Sequence, residues 1–420
     1  MSTSRKFAAL SALAVAAMTS PALAKPGQLD PSFGNNGVAV VPIATGLVYK
    51  TLQQPDGKIL VDGGFGTETE IVRLLPNGTI DTSFGNQGVV SFSVPNNEFQ
   101  LKGDMQLQPN GSIVVVGAVN VPVPRGAMPH GVVLRLLPNG APDTSFGAAG
   151  LVQLTSLGGP QTDSPNVLLL QPNGQILIAD DFSSVKTSSH QVTRLNGNGS
   201  VDTTFGHKGI AAIPDATDRG NDGAPRALAL QSDGKIIAID STPTVATEAR
   251  LLSDGSIDKS TKAGTIVAST AAQAQISVNP PLALQSNEDY ITEQTTGPQL
   301  AQFELDRFTP ANTPNLFESP TIAFGPGVTN LSQDYANVVQ PNGSIVVVGR
   351  FLVAPTEDFA LARVLPTGAL DTSFGSKGVV VTPLPGNDPL ATAVALQADG
   401  NIVVAGDSGG QLTVARYLGK

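Results

Sequence analysis

Asp81-Thr82-Ser83-Phe84-Gly85 is one copy of a phrase that recurs as Asp30-Pro-Ser-Phe-Gly, Asp143-Thr-Ser-Phe-Gly, Asp202-Thr-Thr-Phe-Gly and Asp371-Thr-Ser-Phe-Gly. A second phrase keeps step with it: Gln54-Pro-Asp-Gly, Gln108-Pro-Asn-Gly, Gln171-Pro-Asn-Gly, Gln231-Ser-Asp-Gly, Gln340-Pro-Asn-Gly and Gln397-Ala-Asp-Gly. Gln285-Ser-Asn-Glu-Asp is a worn copy midway between 231 and 340, which brings the count to seven at spacings of 54 to 63 residues. Asp258-Lys-Ser is a degraded copy of the first phrase, and another lies between Asn315 and Phe324. A fixed period of this length sets the architecture before any local reading does.

Each unit reads as four strands. In the second, Gln106 to Gln108 enters the turn Pro109-Asn110-Gly111, followed by the run Ile113-Val-Val-Val116, then Val132 to Leu136, the turn Pro138-Asn139-Gly140, the Asp143 phrase and a last strand at Leu151 to Leu154. Asn-Gly and Asp-Gly favour hairpins because both residues tolerate positive φ. The apolar runs do not alternate, as expected of strands covered on both faces. Seven such units predict an all-β, seven-bladed β-propeller of four-stranded blades. The chain opens on a lone Asp30 phrase with a strand at Gly37 to Val41 and stops after Leu412 to Tyr417. The N-terminal strand is therefore expected to complete the last blade and close the ring, leaving no free edge.

Residues 1–24 read as a signal peptide: Arg5 and Lys6, an apolar stretch from Phe7 to Ala17, and the small-residue site Ala22-Leu23-Ala24. The stretch is too short for a permanent membrane anchor, so residues 25–420 are expected as a single exported propeller domain, periplasmic or extracellular and monomeric. There is no cysteine, so disulfides and thiolate metal sites are excluded. The net charge of −10, with no Lys/Arg cluster, argues against nucleic acid and anionic membrane surfaces as partners.

The element Leu29-Asp-Pro-Ser-Phe-Gly-x-x-Gly37, its echoes, and the accompanying Gln-Pro-Asp-Gly-Lys and Arg-Leu-x-Pro-Asn-Gly elements resemble the delta-60 repeat of bacterial surface and secreted proteins. The likeness covers nearly all of residues 25–420 and is weakest from Leu282 to Phe324. It implies a β-propeller and export, and a looser similarity to NHL propellers implies the same strand order. Neither implies a reaction.

The phrase aspartates read as Asx-turns, with each carboxylate accepting N–H groups from the Ser and Phe that follow. The phrase phenylalanines read as inter-blade core. Binding is expected where the repeat varies, at the connections Ala118 to His130, Thr155 to Ser164, Asp181 to His190 and Pro214 to Arg226. That end carries Asp62, Asp180, Asp181, Asp240 and Asp407 near the ends of second strands, with His130 and His190, as candidate binding residues. Asp215, Asp218 and Asp222 are candidate metal ligands. No cofactor is expected other than Ca²⁺, which takes several oxygen ligands together. No His-Glu-x-x-His or phosphate-binding Gly-rich loop is present.

The sequence therefore points to an exported binding or scaffold module taking a protein, small-molecule or glycan ligand at the variable-loop face. A hydrolase or lyase with a carboxylate/His site in the central funnel and a Ca²⁺-stabilised envelope protein are the alternatives.

Overall fold

The computed structural model describes residues 25–44, 46–65, 68–92, 98–100, 104–123, 126–154, 162–183, 188–213, 224–241, 246–260, 264–266, 275–277, 283–284, 290–296, 302–308, 336–353, 356–386 and 389–420. The expected signal peptide lies outside them, as does most of the worn stretch from Leu282 to Phe324. Among the described residues every regular element of the fold is a strand, grouped in six four-stranded sheets and one five-stranded sheet.

Strand β1 (Val38–Ala44) comes first in the chain and belongs to the last sheet. The first sheet runs in order β2 (Val48–Gln53), β3 (Ile59–Phe65), β4 (Glu68–Leu74) and β5 (Val89–Phe92). The second contains β6 (Glu98–Gln100), β7 (Met105–Leu107), β8 (Ile113–Val123), β9 (Gly126–Leu136) and β10 (Leu151–Gln153). The third runs β11 (Thr162–Leu170), β12 (Ile176–Ser183), β13 (Ser188–Leu195) and β14 (Ile210–Ile213). The fourth runs β15 (Ala224–Leu230), β16 (Ile236–Ser241), β17 (Ala246–Leu251) and β18 (Gly264–Ile266).

Another sheet joins β19 (Gln275–Ser277), β20 (Ala283–Leu284), β21 (Tyr290–Thr296) and β22 (Gln302–Phe308). The next runs β23 (Ala336–Val339), β24 (Ile345–Val353), β25 (Thr356–Val364) and β26 (Val379–Thr382). The last takes β27 (Leu390–Leu396), β28 (Ile402–Ser408) and β29 (Gln411–Tyr417), with β1 beside β29 and Val38 opposite Ala415.

Where both turns are described, antiparallel strands in this order place the Gln-x-Asx-Gly turn and the Pro-Asn-Gly-type turn at one end of the sheet. The remaining connections fall at the other, here called the loop end. The turns are built as their residues require: Gly57 N–H donates to Gln54 O at 2.9 Å with Gly57 at φ +85°, a conformation only glycine adopts cheaply. The loop-end connections are shorter than the sequence suggests. Most of Ala118 to His130 is a ladder of β8 and β9 paired as far as Val123 and Gly126, and β12 and β13 pair as far as Ser183 and Ser188. Polar residues such as Asn120 and His130 there still pair backbone to backbone, and a ladder reads backbone groups rather than hydropathy.

Sheets pack face to face through the phrase phenylalanines. Phe33, Phe84, Phe146, Phe205 and Phe374 are all completely buried. Phe84 sits with Leu60 and Ile71 of the first sheet and Met105, Ile113 and Val115 of the second. Val114, Val116 and Val133 pack the other face of the second sheet against Leu168, Ile176 and Ile178 of the third. Both faces of these middle strands are therefore covered, which accounts for their unbroken apolar runs.

Candidate functional site

At the turn end, polar side chains repeat and are consumed by the fold. In each phrase the Ser or Thr two residues after the Asp donates its N–H and hydroxyl to Asp Oδ1, as Ser83 does to Asp81 at 3.1 and 2.6 Å. The Phe N–H, however, bonds the Asp backbone carbonyl, Phe84 to Asp81 O at 3.0 Å, and not the carboxylate as the sequence reading held.

The second carboxylate oxygen takes an arginine that reading did not assign. Arg135 Nε donates to Asp143 Oδ2 at 2.8 Å, Arg194 to Asp202 at 2.7 Å, Arg363 to Asp371 at 2.8 Å and Arg416 to Asp30 at 2.9 Å, while Arg73 lies 2.9 Å from Asp81. Each guanidinium stacks on its phrase phenylalanine, for example Arg194 over Phe205 at 4.3 Å. It then donates to a backbone carbonyl of the following sheet: Arg73 to Pro138, Arg135 to Gly197, Arg194 to Ser253, Arg363 to Gly419 and Arg416 to Pro76. Even the degraded Asp258 copy keeps its arginine, Arg250, at 2.9 Å.

These clasps hold the phrase carboxyls below the usual carboxylate range. At Asp30 burial opposes ionisation, but the Ser32 hydroxyl and N–H and the Arg416 charge outweigh it. At Asp258 the Ser260 hydroxyl and N–H, with Arg250 adding to them, bring the value to about 2. A depression of about 830 Å³ opens at this end among Gln53, Gln54, Asp56, Gln108, Gln397 and Asp399. Its rim carboxylates are engaged locally: Asp56 with Lys58 at 2.5 Å, and Asp399 with the N–H and side-chain amide of Asn401.

The loop end differs, because its polar residues recur in two units at most: Asp180 and Asp240 share one slot, Asp181 and Asp407 another, and Asp62 stands alone in its own. Asp62 is fully buried with no hydrogen bond to either carboxylate oxygen. It lies opposite Lys50 and shares the face of β3 that carries Leu60 toward the second sheet. Lys50 Nζ reaches Asp104 Oδ1 at 2.8 Å, with the two side chains 11% and 0% exposed. Burial, then the Asp104 charge, pushes the Asp62 carboxyl well above its ordinary range despite Lys50. Burial, then Asp62, raises the Tyr49 phenol.

Asp180 is buried on the face of β12 that meets the second sheet, with Thr193 Oγ1 3.5 Å from its Oδ2. Asp407 caps the β28–β29 hairpin by accepting the Gly410 N–H at 3.2 Å. His130 faces the first sheet beside Gln153, whereas His190 is buried on the face of β13 turned to the fourth, so the two do not meet. Asp181 and Asp240 are placed by register alone, opposite His190 and Thr247.

Asp215, Asp218 and Asp222 lie outside the described residues. Among the described residues no group of three or more His, Cys, Asp or Glu side chains is placed to hold a metal ion. No described helix is long and apolar enough to cross a membrane.

Sequence reasoning missed Lys50 and Asp104, although a signal existed. Both occupy the repeat slot four residues before the phrase glutamine, filled elsewhere by Val167, Ala227, Ala336 and Ala393.

Four-stranded antiparallel sheets stacked through a repeated clasp make the chain an all-β protein of the β-propeller kind. Residues 54–84, 108–146, 171–205 and 340–374 match the family described as "Domain of unknown function (DUF5122) beta-propeller". No curated protein matches the chain. Similar solved structures include virginiamycin B lyase from Staphylococcus aureus, at 10% identity and TM-score 0.49 over 90% of this chain and 97% of that one. The Nup133 β-propeller domain of Vanderwaltozyma polyspora gives 10% and 0.48 over 90% and 97%. The calcium-binding protein regucalcin from Agrobacterium tumefaciens gives 10% and 0.40 over 74% and 85%.

Proposed function

We propose that residues 25–420 form an exported seven-bladed propeller, closed by its N-terminal strand, that works as a binding or scaffold module through its loop end. Closure is supported by contacts between the last sheet and the first. Thr392 Oγ1 donates to Val48 O at 2.6 Å, Ala398 N–H to Gln53 Oε1 at 2.8 Å, and Arg416 to Pro76 O at 2.6 Å.

The observation that carries the functional reading is a division of labour. Polar groups at the turn end recur from sheet to sheet and are spent on Asx-turns and arginine clasps. Those named at the loop end fill a given slot in two units at most, Asp180 with Asp240 and Asp181 with Asp407, so the fold does not need them in every unit, and buried carboxylates such as Asp62 are costly to keep.

The contact surface is formed by the loops over Asp62, Asp180, Asp181, Asp240, Asp407, His130 and His190. Its ligand is a protein, small molecule or glycan of the cell envelope or the exterior. Binding is favoured over hydrolysis because Asp62 and His190 are closed off within sheet interfaces.

A dye-reported melt of residues 25–420 against Ca²⁺, EDTA, envelope sugars and small metabolites tests this. A ligand at a hundred times its dissociation constant adds about 2.7 kcal/mol. Turnover of a compound that is lost in Asp240→Asn or His190→Ala, with the fold intact, would replace the binding reading by the enzymatic one. A melt lowered by EDTA would favour the Ca²⁺-stabilised alternative.

A further inference from the structure

Lys50, Asp62 and Asp104 break the repeat in two slots that face each other. Asp62 stands eight residues after its phrase glutamine, where other units carry Val116, Ala179, Ile239, Val348 and Ala405. The two slots are register partners: Lys50 pairs with Asp62 as Val167 does with Ala179 and Ala393 with Ala405. Three ionisable groups therefore replace apolar core residues across one interface, between the first and second sheets. Ordinary packing gives no reason for them, since an apolar set fills the same slots elsewhere and a buried ion pair rarely improves on one.

Asp104 meets donors on both carboxylate oxygens. Lys50 Nζ stands 2.8 Å from Oδ1, and the Met105 N–H donates to the same oxygen at 2.9 Å. The Leu168 N–H of the third sheet and the Gln106 side-chain amide lie 3.4 and 3.5 Å from Oδ2. Asp62 is buried opposite Lys50 in the ladder with neither oxygen hydrogen-bonded, so a side-chain rotation would bring its carboxyl to the pair. An amine, a carboxyl, oxyanion donors and a second buried carboxyl in one interface are the requirements for condensing two side chains.

We propose that Lys50 and Asp104 form an intramolecular amide cross-link, with Asp62 as proton carrier, tying the first sheet to the second. The reacting form is the one in which a proton has passed from the Lys50 ammonium to the Asp104 carboxylate, leaving amine and acid. The nitrogen lone pair attacks Asp104 Cγ, forming the C–N bond while the Met105 N–H holds the developing oxyanion. Asp62 gives its proton to the departing hydroxyl and takes one from the nitrogen. The C–O bond breaks, one water leaves, and Asp62 ends as it began. Nothing is oxidised or reduced, and no co-reactant is needed.

The test is the intact mass of denatured residues 25–420 after folding. The expected mass is lower than the sequence mass by one water. A tryptic digest should then show no cleavage after Lys50 and a branched peptide joining it to Asp104. Asp62→Asn should slow the link by about 10²–10⁴-fold, the usual share of acid–base assistance. Asp104→Ala should abolish it, and Lys50→Arg supplies the same control if Asp104→Ala does not fold. A wild-type chain at full sequence mass, with Lys50 labelled by an amine reagent after denaturation, overturns the proposal. So does a water lost at any other pair of residues.

Discussion

Arg416 Nε donates to Asp30 Oδ2 at 2.9 Å across 386 residues of chain, an ion pair set among backbone hydrogen bonds that join the same two segments. The pair is one copy of a clasp found at Arg73, Arg135, Arg194 and Arg363, with the same stacking on phenylalanine and the same reach to the next sheet. What distinguishes it is that its Asp lies in the turn leading into β1 (Val38–Ala44), a strand that no tight turn joins to β29.

Removing one partner strands a mostly buried charge, which costs about 3–5 kcal/mol. Arg416→Ala should therefore lower the unfolding free energy by that amount. It should also raise hydrogen exchange in β1, where Arg194→Ala should not. Equal exchange in the two variants would show that the Arg416 clasp does not hold the N-terminal strand.

The turn glycines divide by what a side chain would meet. At Gly140, φ +87°, an added Cβ would sit 2.8 Å from the Phe84 ring and 2.7 Å from Val90 of the preceding sheet. At Gly174, φ +86°, it would meet nothing. Gly174→Ala should cost roughly 1 kcal/mol for the left-handed backbone alone, and Gly140→Ala clearly more. Denaturant midpoints of the two variants check the order.

Phe84 fills the first interface completely. Phe84→Ala should cost about 3–5 kcal/mol, from lost burial and the cavity left behind. A calorimetric or urea-unfolding loss under 1 kcal/mol would mean that the interface collapses around the gap.

The clasps also set an acid limit. Asp30, Asp81, Asp143, Asp202 and Asp371 all have carboxyls lowered in the folded chain by their Ser or Thr and their arginine. A lowered folded value means that the stability they contribute is fully present above the unfolded carboxylate range, near pH 3.9. It is lost as pH falls below that toward the folded values, which for Asp258 is about 2. Urea midpoints should hold down to about pH 5 and drop steeply between about pH 4 and 2. Asp143→Asn should shallow that drop. A midpoint unchanged at pH 2 would contradict the clasp account.

The repeat and its turns were legible because Asn-Gly and Asp-Gly carry their backbone geometry in their composition. The phrases anticipated four-stranded antiparallel sheets for the same reason. The arginine of the clasp was legible in principle, since outside the Asp30 copy it stands eight residues before the phrase Asp, as Arg135 does before Asp143. It was overlooked because the local Asx-turn already explained the carboxylate. The loop-end lengths were not legible, because β8 and β9 continue their ladder through Asn120 and Pro129 without an apolar signal. Lys50 and Asp104 emerge only when units are aligned slot by slot and neighbouring sheets are known to touch, which is tertiary information.

The most direct test of the functional account is hydrogen exchange on residues 25–420, free and bound to whatever the protein captures from a cell-envelope fraction. The account predicts protection concentrated in 118–130, 155–164, 181–190 and 214–226, with the turns at 54–58, 108–112 and 171–175 unchanged. Protection at those turns with the loop end unaffected would place the contact surface on the opposite face and contradict it.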